Sequence, residues 1–279
     1  MSSLAETVVS KQEKAVTVSM IALKQQKNVQ KKSQPIPKIK AGNFRFIQRM
    51  SSISRLAARQ IIFLLHRITT DPVEKIVQEA GDRLAAVRNG SFQRIADELR
   101  TEDPFQYLRS YSPGLQEYIE AASFLHYIQS KQLLTHEDVK KSLIFTREAK
   151  VEDDASISTS SRPSSVEVPL MEYLLGIGDL SGELMRLAIN STAAGNLDTA
   201  YEIATFLRSM TQGYTLVGNQ LQSKDLNFKI RVLKQNLSKV ENTCYMLQLR
   251  GTEVPKHMLA DVISGFLRES AAVNLDEDI

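Results

Sequence analysis

Residues 113–131 read PGLQEYIEAASFLHYIQSK. At about 100° per residue, Leu115, Tyr118, Ile119, Ala121, Ala122, Phe124, Leu125, Tyr127 and Ile128 cover nearly the whole circumference of a helix. A helix apolar on every side is a buried one. Ser112-Pro113 predicts its start and Lys131 its end. Glu117 and Glu120 stand inside this stretch, three residues apart and so on one face. Carboxylates taken out of water need a cation, hydrogen-bond donors or a proton.

Outward from this helix the apolar period stays helical. Residues 43–69 place Ile47, Met50, Ile53, Leu56, Ala57 and Ile61 at steps of three and four. Asp71-Pro72-Val73-Glu74 predicts an N-cap, a proline at N1 and a glutamate at N3, opening a helix to about residue 102. Thr135 and Asp138 form a second capping pair. Pro169 opens a helix stopping near Gly195, Asp198 or Thr199 one ending near Gly218, and Ser223 one closed by Gly251. Pro255 opens a short last helix. No alternating, β-branched run is bounded by turns, so the expected class is all-α: a single-domain bundle of about seven helices.

Three segments fall outside this pattern. Residues 1–42 are rich in Lys, Gln and Ser and are expected to be a mostly disordered basic arm. Residues 147–168 carry six Ser and one Thr without an apolar period and are expected to be a flexible insert. Residues 269–279 form an acidic tail, which leaves 43–268 as the helical domain. Residues 1–60 hold 12 of the 35 basic and 2 of the 32 acidic residues, a balance of +10 that the rest of the chain offsets to +3. A basic arm on an acidic body suits a polyanion or a merely solvated tail.

Several function classes are excluded. One cysteine, Cys244, leaves no intramolecular disulfide and no thiolate zinc cage, and suits a reducing compartment. No run of 18 apolar residues exists, and the first residues lack a secretory pattern. Lys31, Lys32, Lys38 and Lys40 form a broken nuclear-localisation patch, and the expected location is cytoplasm and nucleus. Gly176-Ile177-Gly178-Asp179-Leu180-Ser181-Gly182 has the wrong spacing for a dinucleotide loop and no strand before it. No nucleophile elbow or Walker motif occurs. His66, His126, His136 and His257 are scattered; His66 and His126 read as core histidines and Cys244 as a buried thiol.

The helix after Pro169 repeats the acidic theme. Asp179 and Glu183 project together, about 40° apart, with Gly176 and Gly182 on their flanks. Each glycine costs about 0.5–1 kcal/mol against alanine inside a helix, which points to close approach of a backbone or ligand. If this face meets that of Glu117 and Glu120, four carboxylates converge without His or Cys. Such an all-oxygen set suits Mg²⁺ or Mn²⁺. The alternative is a set of internal ion pairs with Arg186, Arg94 or Arg109.

The stretches QIIFLLHRI (60–68), GLQEYIEA (114–121), YLLGIGDLSGELMR (173–186), KVEN (239–242) and RGTEVPKHMLAD (250–261) resemble the translin family, in collinear order over residues 45–265. The resemblance implies an all-helical fold and assembly with translin into a hollow hetero-octamer that processes RNA. It implies that a subunit of this kind supplies a Mg²⁺-dependent endoribonuclease for single-stranded or nicked RNA, active in passenger-strand removal during RNA silencing and in trimming tRNA fragments. The catalytic residues it carries over are Glu117, Glu120 and Asp179, with Glu183 as a further metal ligand. Glu172 and Glu241 stay outside this set: Glu172 suits a helix start, and Glu241 a pair with Lys239 or Lys234. Arg83, Arg88, Arg94, Arg100 and Arg109 precede the Glu117 helix and are candidates to track an RNA backbone or to form a solvated face. The other reading is a non-catalytic adaptor that binds translin and single-stranded RNA or DNA. Residues 169–193 and 223–250 carry more apolar positions than one stripe needs, so part of each is expected at subunit interfaces.

Overall fold

The computed structural model describes residues 40–146, 163–194, 196–221 and 223–250. The arm up to residue 39, insert residues 147–162, the expected helix from Pro255, His257 and the acidic tail lie outside the described residues. The described residues are helical almost throughout: α1 (Ala41–Leu65), α2 (Val73–Val87), α3 (Gln93–Leu99), α4 (Pro104–Ser130), α5 (His136–Ser142), α6 (Leu170–Ala193), α7 (Asp198–Leu221) and α8 (Lys224–Arg250). A 3₁₀ turn, His66–Thr69, follows α1, and a widened π-turn, Arg88–Phe92, joins α2 to α3. No helix of the described residues is long and apolar enough to cross a membrane.

The chain divides into two compact units. One takes α1 through α5 and the start of α6, up to Ile177; the other takes His66–Asp71 and the chain from Gly178 onward. In the first unit α1 pairs most extensively with α4. Ile47, Met50, Ser51, Ser54, Ala58, Ile61, Ile62 and Leu65 make the buried face of α1, at the three- and four-residue steps of an amphipathic helix. The small Ser51, Ser54 and Ala58 in its middle admit a close neighbour. That neighbour is Gly114 of α4, where a Cβ would stand 2.6 Å from the Ser51 carbonyl oxygen. Burial on α4 runs from Tyr107 to Tyr127, as expected of a helix apolar all round.

The start of α4 differs from expectation. It opens at Pro104 behind Asp103, whose carboxylate accepts from the Phe105 N–H, and Pro113 lies inside it. A proline there removes one helical donor and pushes on the preceding turn. The neighbouring Gly114 N–H bonds across to Ser51 Oγ at 3.1 Å, so the disturbed turn is stitched to α1. Asp71 also differs: its carboxylate pairs with Arg67 at 2.5 Å, and the cap position before α2 falls to Pro72 without a side-chain bond. Thr135 caps α5 as expected, accepting from the Asp138 N–H.

The insert is partly fixed. Ser164–Ser165 pairs antiparallel with Ile144–Phe145, as strands β2 and β1, with Ile144 opposite Ser165. Val166 and Val168 are buried and the Val166 N–H donates to Leu143. Burying two valines outweighs the polar composition that made 163–168 read as flexible.

In the second unit α7 and α8 pack together. Leu226, Leu233, Val240 and Leu247 of α8 are buried, as are Ala200, Ile203, Leu207, Met210 and Val217 of α7. Cys244 is buried, and burial pushes its thiol up from the ordinary value, as fits an inert core position.

Candidate functional site

The expected carboxylates are best described unit by unit. In the first unit Glu117 is half-buried and Glu120 is buried, at 8% exposure. Arg55 and Arg59 lie one helical turn apart on the flank of α1. Arg55 Nε donates to Glu117 Oε1 at 3.1 Å; Arg59 donates to the same oxygen from Nε at 3.0 Å and from Nη2 at 2.8 Å. The bond to Glu117 and its charge raise the Arg59 guanidinium above its ordinary pKa, and the Glu120 charge adds to this. Glu172 belongs to a separate cluster, bonded by the Ser112 hydroxyl and, at 2.6 Å, by Gln116 Nε2. It ties α6 to α4 rather than merely capping a helix start. Gly176 marks the same contact: a Cβ there would stand 2.9 Å from the Gln116 carbonyl oxygen and 3.0 Å from Ile119.

In the second unit Lys229 of α8 pairs with Asp179. Gly178 lets the lysine stem lie flat on α6, because a Cβ there would stand 3.2 Å from Lys229 Cβ. Glu183 receives His66 Nε2–H on one oxygen at 2.6 Å and Arg186 on the other. Burial alone would push the Glu183 carboxyl up; the His66 bond and the Arg186 charge outweigh it and hold the group below its ordinary value. Glu183 is 7% exposed and ionised.

Each of Glu117, Asp179 and Glu183 is therefore matched by a basic side chain. Among the described residues, no three His, Cys, Asp or Glu side chains stand together as a metal cage. The donor chemistry nonetheless fits a hard cation: all four side chains are carboxylates, and Glu183 is held ionised though buried. The sequence reading missed Arg55, Arg59, His66 and Lys229. Arg55 and Arg59 carried a signal, being spaced i, i+4 on a helix without acidic residues. His66 read as a core histidine, and it is instead the hydrogen-bond donor to Glu183. Arg186 is the ion-pair partner anticipated, whereas Glu117 is met by Arg55 and Arg59 rather than by Arg94 or Arg109. Glu241 pairs with Arg208 at 2.6 Å, not with a neighbouring lysine.

The five candidate arginines do not share one role. Arg83 is taken up by Glu79 within α2, and Arg100, just past the end of α3, by Asp97. Arg94 and Arg109 are exposed on α3 and α4. Arg88 opens the π-turn and lines a cavity described below. Lys40, from the lysine patch, pairs with Glu102 at 2.7 Å.

A helical chain with this collinear set of motifs has a recognisable kinship. The model of the translin family matches residues 45–251. The chain belongs to the translin family. It is 42% identical over 226 residues to translin-associated protein X of Pongo abelii, covering 78% of this chain and 77% of that one. It is 41% identical over 231 residues to translin-associated protein X of Rattus norvegicus, with the same coverage. The translin-family fold is seen again in a chain of the crystal structure of apo-NeC3PO, at a TM-score of 0.51 and 19% identity, covering 72% of this chain and 87% of that one. At that identity the likeness speaks to the fold. The translin-family match starts four residues into α1 and spans every helix described.

Proposed function

We propose that this translin-family chain is the catalytic subunit of a Mg²⁺-dependent endoribonuclease, assembled with translin in a hetero-oligomer of eight subunits. Glu117, Glu120, Asp179 and Glu183 would hold the ion, with Mn²⁺ as a substitute. Single-stranded or nicked RNA is its substrate, in passenger-strand removal during silencing and in tRNA fragment processing, in cytoplasm and nucleus. The kinship with proteins named translin-associated protein X supports the partner.

The observation that carries the reading is a buried carboxylate held ionised. Glu120 and Glu183 are buried in a chain otherwise built as an apolar bundle, and His66 and Arg186 hold the Glu183 carboxyl below its ordinary value. Ionised oxygen donors without nitrogen or sulfur suit a hard divalent ion. Gly176, which brings α6 onto α4 beside Gln116, precedes Asp179 by three residues on the same helix. When bound, the ion polarises the scissile phosphate and lowers the pKa of a water. His66 orients Glu183 through its Nε2–H, as outer hydrogen bonds orient metal ligands. Arg55, Arg59 and Lys229 supply positive charge at the carboxylates, so that a phosphate meets a compensated site.

The test is cleavage of end-labelled single-stranded RNA by the chain co-expressed with translin, with Mg²⁺ or EDTA, wild type beside Glu117→Ala. Cleavage that needs Mg²⁺ and falls at least 100-fold in the variant, with assembly intact, is expected. Retained cleavage in a pure variant complex overturns the assignment. The ion pairs of Glu117, Asp179 and Glu183 favour a second reading, an adaptor for translin and single-stranded nucleic acid whose acidic face is structural. RNA binding without Mg²⁺-dependent cleavage by the wild-type complex would select it.

A further inference from the structure

A cavity of about 300 Å³ in the first unit lies where the π-turn, the end of α5 and β1 meet. Arg88, Asn89 and Gln93 line it from the π-turn side, Lys141 and Ser142 from α5, and Ile144 from β1. Among the described residues, no carboxylate lines it. Two cations, two amides and the hydroxyls of Ser142 and Thr146 thus face one space. A π-turn is an inserted residue in a helix; such turns cost regular hydrogen bonding and recur at functional sites. Here it turns Arg88 and Asn89 outward together, and Arg88 Nε donates to Asn89 Oδ1 at 3.1 Å, which orients the guanidinium. Gly90, in the middle of that turn, has no packing reason to be glycine: a Cβ there would meet nothing within 4 Å. Beneath, buried Tyr118 packs on Phe92 with ring centroids 4.9 Å apart, and its hydroxyl is influenced by Ser142 and Arg88. Ile144 offers a half-exposed apolar wall at 49%.

We infer that this cavity binds a phosphate group of single-stranded nucleic acid, with Arg88 and Lys141 as its two charge contacts. The guanidinium fork suits two phosphate oxygens and the ammonium a third. Asn89 and Gln93 add neutral amide donors, and the Ile144 wall takes the apolar face of the attached sugar or base. The inference deepens the proposed function by naming a strand-holding site. It asks for binding alone, so it stands or falls separately from the nuclease chemistry.

The experiment is fluorescence anisotropy of a labelled single-stranded RNA with the full-length chain in EDTA, over a salt series. Arg88→Ala with Lys141→Ala is expected to weaken binding at least tenfold. The slope of log affinity against log salt should shrink by about 1.4, two contacts at about 0.7 each. Arg83→Ala, whose guanidinium is held by Glu79, should leave the slope as it was. A parallel ³¹P NMR titration with uridine monophosphate separates the sources. Loss of mononucleotide binding alone, with RNA binding intact, overturns the strand assignment. Loss with RNA assigns it to the strand. Should Arg88→Ala misfold by circular dichroism, Lys141→Ala and Arg88→Lys carry the test, the latter keeping charge and losing the fork. Unchanged RNA and mononucleotide binding overturns the inference, as does an equal effect of Arg83→Ala.

Discussion

Gly176 and Gly182 sit on one helix, six residues apart, in opposite surroundings. A Cβ at position 176 would stand 2.9 Å from a backbone oxygen that has nowhere to go; at position 182 the nearest atom would be Asn236 Nδ2, at 3.8 Å. Gly176→Ala is therefore expected to destabilise by about 1–3 kcal/mol through overpacking. Gly182→Ala should stabilise by about 0.5–1 kcal/mol, because it removes the helix penalty of glycine without a clash. Urea unfolding of the pair checks both signs, and equal signs would remove the close-approach account of Gly176. The residue pattern foretold a tight contact beside the carboxylates but did not say which glycine makes it, since that depends on what another helix presents. The same limit hid His66, Lys229, Arg55 and Arg59. A carboxylate's need for a partner is legible in a sequence; the partner, 50 to 117 residues away, is a product of the fold.

Helix boundaries show which local signals outrank others. Asp103-Pro104 and Ser112-Pro113 both look like starts, and the chain uses the first, carrying the second through as an internal proline. The choice is made by packing: Tyr107 and Tyr111 are fully buried, and only a helix that already runs there can bury them. Asp103→Ala is accordingly expected to cost about 1 kcal/mol as a lost cap, read by thermal unfolding. At the next helix, the ring of His136 packs against Tyr173 at 5.1 Å between centroids, and its Nε2–H donates to the Val168 carbonyl at 2.8 Å. Burial, with some help from Lys140, lowers the His136 pKa despite that bond. The folded form thus prefers neutral imidazole. Above pH of about 6.5 neither the folded nor the unfolded chain is penalised. As pH falls through that value, the unfolded chain takes the proton first, and stability declines until the lower folded pKa is passed. His136→Gln keeps a donor for Val168 without a titrating group. Its urea midpoint is expected to change less between pH 7.5 and 5.5 than that of the wild type, and an identical pH dependence would clear His136 of any part in it.

At the scale of the whole molecule the all-helical class follows from the unbroken apolar period, but where the surplus apolar surface ends up does not. The helix from Leu170 buries its surplus within the chain. On α8, Phe228, Tyr245 and Leu249 stay outside, as the expected interface role requires. The least anticipated face belongs to α1. Phe46, Ile53, Leu56 and Phe63 are 39%, 47%, 62% and 76% exposed, at steps of seven, three and seven. That spacing is a coiled-coil seam, one edge of a helix that already spends its other side on α4. Residues 41–70 hold no acidic residue; Glu117 and Asp71 answer Arg55, Arg59 and Arg67, but Arg45 and Arg49 of two copies laid seam to seam would bring like charges together. A different, acidic-flanked helix satisfies the seam better, which agrees with the assembly with translin proposed above and disfavours an orderly homodimer. The isolated chain should then associate without a defined size in size-exclusion chromatography with light scattering. Leu56→Lys with Phe63→Lys should shift it toward monomer and reduce co-purification with translin. Both substitutions sit on exposed positions, so the unfolding midpoint should move by no more than about 0.5 kcal/mol in equivalent stability. If the double variant still aggregates and still carries translin with it, the sticky surface is the α7–α8 face, and the α1 seam is only an exposed edge.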